Sequence, residues 1–138
     1  MEKALRSGKN VICNSSTDLP LKLGTGNRFY IVENEQLTPD YLWAFMDEHH
    51  EPVRKSQTLI VIEECQLIFS EPLDVKSWQD FFSQHRALGC DILLVTSNVR
   101  NIVRDIRKLV EQEVSHWNGR LFKFRKRVQW YPGIPIRT

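Results

Sequence analysis

Four short runs of apolar residues, rich in β-branched side chains, recur along the chain and predict strands. They cover residues 11–13, 29–32, 59–62 and 92–96. The third and fourth runs are continuous rather than alternating, which is typical of strands buried on both faces of a parallel sheet. Parallel neighbours need crossover connections, so this pattern also requires helices between the runs.

Two helices with recognisable boundaries lie between these runs. The first begins where Thr38 can cap a helix that has Pro39 in its first turn, and its apolar face ends near His50. The second begins after Asp74, a capping residue, and ends before Gly89, which suits a left-handed stop. The apolar positions of the two helices are Leu42, Trp43, Phe45, Met46, Val75, Trp78, Phe81 and Phe82.

A third helix is predicted over residues 99–110, where apolar residues recur at intervals of three and four. Because strands and helices alternate, we expect an α/β protein with a mainly parallel sheet and flanking helices. Residues 120–130 alternate apolar side chains with Arg and Lys and predict a C-terminal antiparallel strand. The tail after it contains Pro132 and Pro135 and should continue neither a strand nor a helix.

A length of 138 residues suits a single domain, with a core at about residues 5–118 and a basic strand and tail at 119–138. The charge is divided unevenly: residues 1–95 hold 9 Lys and Arg against 14 Asp and Glu, whereas residues 96–138 hold 10 against 3. A basic end is compatible with nucleic acid, an anionic membrane face or a solvated surface, and charge alone does not choose among them.

The composition excludes several classes of protein. No stretch reaches the ~20 apolar residues of a membrane-spanning helix, and the N-terminus lacks the apolar centre of a secretory signal. The three cysteines, Cys13, Cys65 and Cys90, are widely spaced and form no C-x-x-C pair. We therefore expect free thiols, no zinc site, no transmembrane segment and a cytoplasmic location.

The strongest chemical signal is a pair of carboxylates, Glu63 and Glu64, directly after the buried run at 59–62. The carboxyl edge of a parallel sheet is where α/β proteins bind ligands. In nucleotide hydrolases one acidic residue at such a strand end helps to hold magnesium, and a following Glu polarises the attacking water. A strand that simply ends in a polar loop would give the same pattern.

Two further polar residues, Ser97 and Asn98, follow the fourth apolar run. In nucleotide hydrolases a polar residue at this strand end contacts the γ-phosphate or the attacking water, although either residue would equally serve as a helix cap. Arg86, Arg104 and Arg107 lie on or beside the predicted helices and are either phosphate contacts or solvated surface.

The sequence contains no phosphate-cradling loop of the form G-x-x-x-x-G-K-[S/T]. Gly8 and Lys9 have no upstream glycine, and Gly24 and Gly26 are followed by no Lys-Ser or Lys-Thr pair. Since nothing in the sequence is suited to cradle the β- and γ-phosphates, the affinity of this chain for ATP is expected to be poor.

Four segments, taken in order, resemble the zonula occludens toxin (Zot) family, which includes the filamentous-phage assembly ATPase. Residues 7–14 resemble the segment after the P-loop helix of the family, and residues 59–66 resemble its Walker B strand. Residues 85–92 are similar to its His-Arg…Gly-x-Asp-Ile element, and residues 96–118 to its next strand end, helix and exit. The resemblance therefore spans about residues 5–118.

The resemblance implies a P-loop NTPase-like core from which the first strand and the Walker A segment are missing in this sequence. It implies an ATPase of phage or prophage assembly and virion export, acting with other assembly proteins at the cytoplasmic face of a bacterial inner membrane. Its implied cofactors are ATP and Mg²⁺, although this chain alone is not expected to hydrolyse ATP.

The resemblance also implies roles for individual residues. Glu63 stands where the family usually has Asp, one methylene shorter, and Glu64 stands where the family has its catalytic carboxylate. The implied assignment is Glu63 to the metal, Glu64, Asn98 and Arg107 to catalysis, and Arg86 and Ser97 to the nucleotide.

Two other functions fit the residues. In the run 120–127, cations alternate with aromatic residues, so an exposed strand could bind nucleic acid by stacking bases on Phe122 and Phe124. The same alternation would bury both rings as ordinary core. A non-catalytic module that forms homo-oligomers is the other alternative, because a strand missing beside residues 59–62 would leave a sheet edge open for pairing.

Overall fold

Helices and strands alternate along most of the chain. The computed structural model describes residues 1–16, 24, 28–51, 55–117 and 127–132. The first half contains helix α1 (Glu2–Arg6), strands β1 (Asn10–Cys13) and β2 (Phe29–Ile31), helix α2 (Pro39–His49) and strand β3 (Thr58–Ile62). The second half contains α3 (Val75–Gln84), β4 (Cys90–Leu94), α4 (Arg104–Arg107), β5 (Gln112–Trp117) and β6 (Arg127–Pro132). None of the helices in these described residues combines the length and the hydropathy that crossing a membrane requires.

The central sheet has four parallel strands in the order β2-β1-β3-β4. This confirms the predicted α/β fold with a mainly parallel sheet. Strand β3 pairs with β1 on one side, where Thr58 faces Asn10, and with β4 on the other, where Thr58 faces Cys90. The open edge that we expected beside residues 59–62 is therefore not at β3: within the described strands, β2 and β4 are the two that each have one unpaired side.

The two faces of the sheet are covered unequally. On one face, Ile12, Ile60 and Ile62 pack in a large core with the buried side chains of α2 and α3. On the other face, Ala4 and Leu5 of α1 pack against Val11 in a second, smaller cluster. Helices on both faces explain why β1 and β3 are continuous apolar runs rather than alternating ones. The same prediction is wrong for β4, an edge strand in which Asp91 and Leu93 are exposed.

The helix boundaries predicted from capping residues are confirmed. The Oγ1 atom of Thr38 accepts a hydrogen bond from the Tyr41 N–H at 3.2 Å, and Pro39 is the first residue of α2. The carboxylate of Asp74 accepts one from the Ser77 N–H at 3.3 Å and a second from the Ser77 hydroxyl at 2.7 Å. These bonds lower the pKa of Asp74 because they stabilise its charged form.

A histidine connects the end of α2 to the amino edge of the sheet. One ring nitrogen of His50, Nδ1, lies 2.7 Å from the carbonyl oxygen of Leu88, and the other, Nε2, lies 2.6 Å from the hydroxyl of Thr58. Thr58 is fully buried at the start of β3. His50 and Thr58 therefore interact at the amino edge of the sheet, and Glu63 and Glu64 lie at the opposite edge.

The single helix predicted over residues 99–110 is wrong. The structure has a 3-10 turn at Val99–Asn101 and then, after two residues in extended conformation, the short helix α4. The main-chain N–H of Val103 donates to the carbonyl of Phe69 at 2.9 Å, which diverts the backbone from a helical path. The apolar spacing still fits, because Ile102 and Ile106 are both buried in the core.

The C-terminal part forms a separate two-stranded antiparallel sheet. In it β5 pairs with β6 over six residues, from Gln112 opposite Pro132 to Trp117 opposite Arg127. Strand β5 was not predicted, because its residues were interpreted as the exit from a helix. Strand β6 extends to Pro132, so the expectation that the chain forms no strand from Pro132 onward is wrong at that residue. Residues 118–126 and 133–138, which hold most of the basic run and the rest of the tail, lie outside the described residues.

Replacing Phe81 by alanine should lower the free energy of unfolding by about 3–5 kcal/mol, the usual cost of removing a fully buried ring. The side chain of Phe81 has no exposed area, and its ring meets that of Trp43 edge to face at 5.6 Å. Urea denaturation would measure the change. Leu67→Ala is the control, because 66% of Leu67 is exposed and little should change. A loss below about 1 kcal/mol for Phe81→Ala would contradict the packing.

The buried thiols should make stability fall at alkaline pH. Burial raises the pKa of Cys65 to about 11 and that of Cys90 to about 12, from an ordinary value of 9.0. Since the folded state favours the neutral thiol, this contribution is complete below pH 9.0 and is lost as the pH rises through the folded values. Urea midpoints measured between pH 8 and pH 11 should decline less steeply in Cys90→Ala than in the wild type. An equally steep decline in both proteins would contradict the contribution of Cys90.

Candidate functional site

The carboxyl ends of β1 and β3 meet at one edge of the sheet, because the strands are parallel and in register. Strand β1 ends at Cys13 and is followed by Asn14, and β3 ends at Ile62 and is followed by Glu63. As predicted, Glu63 and Glu64 stand at the carboxyl edge of a central strand, where α/β proteins hold ligands.

The side chain of Asn14 binds the main chain of Glu63 in both directions. Its Oδ1 accepts a hydrogen bond from the Glu63 N–H at 2.7 Å, and its Nδ2 donates to the Glu63 carbonyl at 2.8 Å. The Nδ2 group also donates to Oδ1 of Asn34 at 2.8 Å. Asn14 lies in a family-like segment, but no sequence pattern predicts a role for it, because its partners lie 20 and 49 residues away.

Glu64 has a left-handed backbone conformation, with φ of 47° and ψ of 46°. This conformation is costly for a residue with a Cβ atom, and such outliers concentrate at functional sites. It ends β3 abruptly: the next residue, Cys65, starts a 3-10 turn, and its N–H donates to the carbonyl of Val95 at 3.0 Å. The Glu64 carboxylate is exposed and accepts a hydrogen bond from Nε2 of Gln66.

A shallow pocket of about 260 Å³ opens at this edge. Its lining consists of Asn14, Ser15, Glu33, Asn34, Glu35, Glu63, Glu64 and Leu67. Four carboxylates thus border one pocket, and within the described residues none of them forms an ion pair with a Lys or Arg. The pocket is therefore acidic and rich in oxygen donors, the ligands that hard cations such as Mg²⁺ prefer.

The donor set of the pocket suits a magnesium ion that is also coordinated by phosphates and water, rather than one held by the protein alone. Among the described residues, no group of three His, Cys, Asp or Glu side chains converges to hold a metal. Mg²⁺ is usually bound through one or two carboxylates together with substrate phosphates and water. Glu63 is half-buried, Asn14 holds its main chain, and its side chain can supply one such carboxylate.

Ser97 and Asn98 lie at the same edge, after β4, and both are exposed. The Oδ1 atom of Asn98 accepts a hydrogen bond from the Arg100 N–H at 3.0 Å, so Asn98 does cap the 3-10 turn, one of the two roles considered for it. A chain of side chains links this segment to Glu64, because the Thr96 hydroxyl donates to Oε1 of Gln66 at 2.7 Å. Neither Ser97 nor Asn98 lines the pocket.

The two assigned arginines lie apart from each other. Arg86 follows α3 at the amino edge of the sheet, opposite to Glu63, and is ion-paired with Glu111. Arg107 ends α4, and its Nε and Nη1 atoms are buried without a hydrogen-bond partner among the described residues. Buried guanidinium nitrogens without partners are unusual in native structures and call for an explanation. Neither arginine lines the pocket.

Comparisons with known proteins agree with this architecture. A family model described as Zonular occludens toxin (Zot) matches residues 23–133. The structure is similar to the N-terminal domain of zonular occludens toxin from Neisseria meningitidis, with a TM-score of 0.57 and 16% sequence identity. That similarity covers 91% of this chain and 66% of the other, so the chain spans just under two thirds of that structure. A search of curated proteins finds no match.

The family model covers most of the chain, and the α/β fold with its four-stranded parallel sheet agrees with a Zot N-terminal domain. On these two findings, the chain belongs to the zonular occludens toxin (Zot) family.

Proposed function

We propose that this chain belongs to an ATP-hydrolysing, P-loop NTPase-like domain in a Zot-like protein of filamentous-phage assembly and virion export. In that domain it supplies the residues that hold magnesium and orient the attacking water. The observation that carries the proposal is the position of Glu63 and Glu64, which end the central strand β3 and line the pocket at its carboxyl edge. Membership of the Zot family supports it. The proposed place of action is the cytoplasmic face of a bacterial inner membrane, with other assembly proteins as partners.

In this proposal the carboxylates have different tasks. Glu63 holds Mg²⁺, which when bound would neutralise phosphate charge and act as a Lewis acid. Glu64 orients the attacking water and accepts a hydrogen bond from it, and the left-handed turn with the bond from Gln66 sets the direction of its carboxylate. Asn98 acts as the sensor through its amide NH₂ group, because its Oδ1 is occupied by the turn that it caps.

The remaining assigned residues contact the nucleotide in the same proposal. Phosphate oxygens would satisfy the buried Nε and Nη1 atoms of Arg107, and the exposed hydroxyl of Ser97 would add a contact at the same edge. Arg86 lies at the opposite edge of the sheet, so its phosphate contact would be with a nucleotide bound to a neighbouring copy.

The isolated 138-residue chain should show negligible ATP turnover and a Kd for Mg²⁺·ATP of roughly 1 mM or weaker. The physical reason is the sequence: it has no G-x-x-x-x-G-K-[S/T] loop, which in such domains binds the phosphates that hold most of the magnesium. Isothermal calorimetry and a phosphate-release assay would measure both. Micromolar binding would show that other residues of this chain bind the phosphates. It would overturn the proposal that phosphate binding depends on a loop this sequence does not contain.

A longer form of the protein that includes such a loop gives the complementary test of Glu64. In that form Glu64→Gln should keep ATP binding, seen as an unchanged rise in Tm with nucleotide, and should lose turnover. The amide preserves the shape of the side chain but cannot act as a base toward water. Unchanged turnover in Glu64→Gln would remove Glu64 from the mechanism.

A second candidate function, self-association, is favoured by the outer edge of β4. The N–H of Val95 donates to Ile62 and its carbonyl accepts from Cys65, so the odd-numbered residues of β4 bond toward β3. By alternation, the N–H and C=O groups of Ile92 and Leu94 point to the side that no described strand occupies. Leu93 is 48% exposed beside this edge, and an unpaired apolar edge is a template for pairing with a second copy of the chain.

Self-association through this edge should appear as dimers whose fraction rises with concentration in sedimentation equilibrium. Leu93→Lys should leave a monomer at the same concentration, because a charge on the edge opposes strand pairing. Leu67→Lys is the matched control, since Leu67 is exposed but lies in the 3-10 turn after β3 rather than on β4. A wild type that stays monomeric at its solubility limit would exclude this candidate.

A further inference from the structure

A chain of hydrogen bonds runs from the segment after β4 to the carboxylate of Glu64. The main-chain N–H of Asn98 donates to Oγ1 of Thr96 at 3.2 Å, and the Thr96 hydroxyl donates to Oε1 of Gln66 at 2.7 Å. The Nε2 group of Gln66 donates in turn to Oε2 of Glu64. The Thr96 hydroxyl also lies 3.2 Å from the Asn98 carbonyl, but it has a single hydrogen and its contact with Gln66 is the shorter one.

The amide of Gln66 can take only one orientation in this chain. Its oxygen accepts from Thr96 and its NH₂ group donates to Glu64, whereas the reversed amide would set its oxygen against a carboxylate. All the bonds therefore point in one direction, toward the negative charge of Glu64. Hydrogen bonds arranged in this way polarise one another, and the last of them is strengthened by the charge of its acceptor.

The main chain keeps the two segments close enough for Gln66 to span them. The N–H of Val95 donates to the carbonyl of Ile62 at 2.9 Å, and the carbonyl of Val95 accepts from the N–H of Cys65 at 3.0 Å. Cys65 is fully buried and begins the 3-10 turn that contains Gln66. The backbone around Gln66 is thus held against the end of β4, and its side chain makes the polar contact with Thr96.

The two ends of the hydrogen-bonded chain are exposed, and its middle is not. Glu64 and Asn98 are exposed, whereas Gln66 and Thr96 are half-buried. The exposed ends are the two residues that the proposed function assigns to the attacking water and to the sensor. Since half-buried hydrogen bonds compete less with water, a displacement of Asn98 changes the bonds of Thr96 and Gln66 and so reaches Glu64.

We infer that Gln66 is a positioning residue of the proposed site: it couples the segment after β4 to Glu64, so that a contact made by Asn98 changes the direction of the Glu64 carboxylate. Gln66 also occupies Oε2 of that carboxylate and leaves Oε1 to the attacking water. It acts through Glu64 and touches neither nucleotide nor water. The inference rests on the proposed function, because it requires that Glu64 orients the water.

The test on the 138-residue chain follows the side-chain carboxyl ¹³C signal of Glu64 by NMR at neutral pH. Thr96→Val removes a hydroxyl that does not touch Glu64, so the signal should move because Gln66 transmits the loss. Gln66→Leu removes the bond itself and should move the signal further. Adding Thr96→Val to Gln66→Leu should then have no further effect. Additive shifts from the two substitutions would overturn the inference.

Two control substitutions separate this coupling from a general loss of structure. Thr96→Ser keeps the hydroxyl and should leave the Glu64 signal as in the wild type. Thr58→Val makes the same exchange as Thr96→Val, but it removes a bond with His50 at the amino edge of the sheet and should not move the Glu64 signal. If Thr58→Val moves the signal as much as Thr96→Val does, both report loosening of the fold and the inference is wrong.

The comparison of Thr96→Val with Thr96→Ser also decides the question if Gln66→Leu does not fold. The Glu64 signal should move in Thr96→Val and stay in place in Thr96→Ser. A Glu64 signal that stays in place in both variants would overturn the inference.

Turnover in a longer form of the protein that includes a phosphate-binding loop separates the inference from the proposed function. There Gln66→Leu should lower kcat by about tenfold and keep the rise in Tm with nucleotide, and Thr58→Val should keep the kcat of the wild type. If Glu64→Gln abolishes turnover and Gln66→Leu leaves kcat unchanged, the inference is wrong and the proposed function stands. If Glu64→Gln leaves turnover unchanged, the proposed function fails and the inference fails with it.

Discussion

The pairing of β3 with a parallel strand on each side is the constraint on which the site depends. Parallel strands in register end at the same edge of the sheet. Strand pairing alone therefore brings together residues that are far apart in the sequence. The burial of Thr58, Ile60 and Ile62 fixes the register, because a shift by one residue would turn these side chains toward the opposite face. The position of Glu63 and Glu64 is therefore a consequence of packing in the core.

The features that the sequence could predict are those whose cause is local. Continuous apolar runs gave the strands of the central sheet, and Thr38 and Asp74 gave the starts of two helices, because a cap acts within three residues of itself. The strand end at Glu63 and Glu64 could be placed for the same reason. These patterns depend on neighbours in the chain, and the tertiary structure agreed with them.

The features that the sequence could not predict depend on distant partners. Residues 99–110 have a helical spacing, yet a hydrogen bond from Val103 to the carbonyl of Phe69 interrupts the helix. Asn14 has no local pattern at all, because its partners belong to β2–α2 and β3–α3 connections. Arg86 lies at the opposite edge because of the direction in which α3 runs, and a sequence motif does not specify that direction.

The distance in sequence between the two halves of the site has a kinetic consequence. Asn14 and Glu63 are separated by 49 residues, and the strands that carry them pair in parallel, so they meet only after a long segment of chain has closed. Contacts of this kind form slowly, since the entropy of loop closure must be overcome before any bond compensates for it. During synthesis, the acidic pocket can therefore assemble only once β3 has emerged and paired with β1.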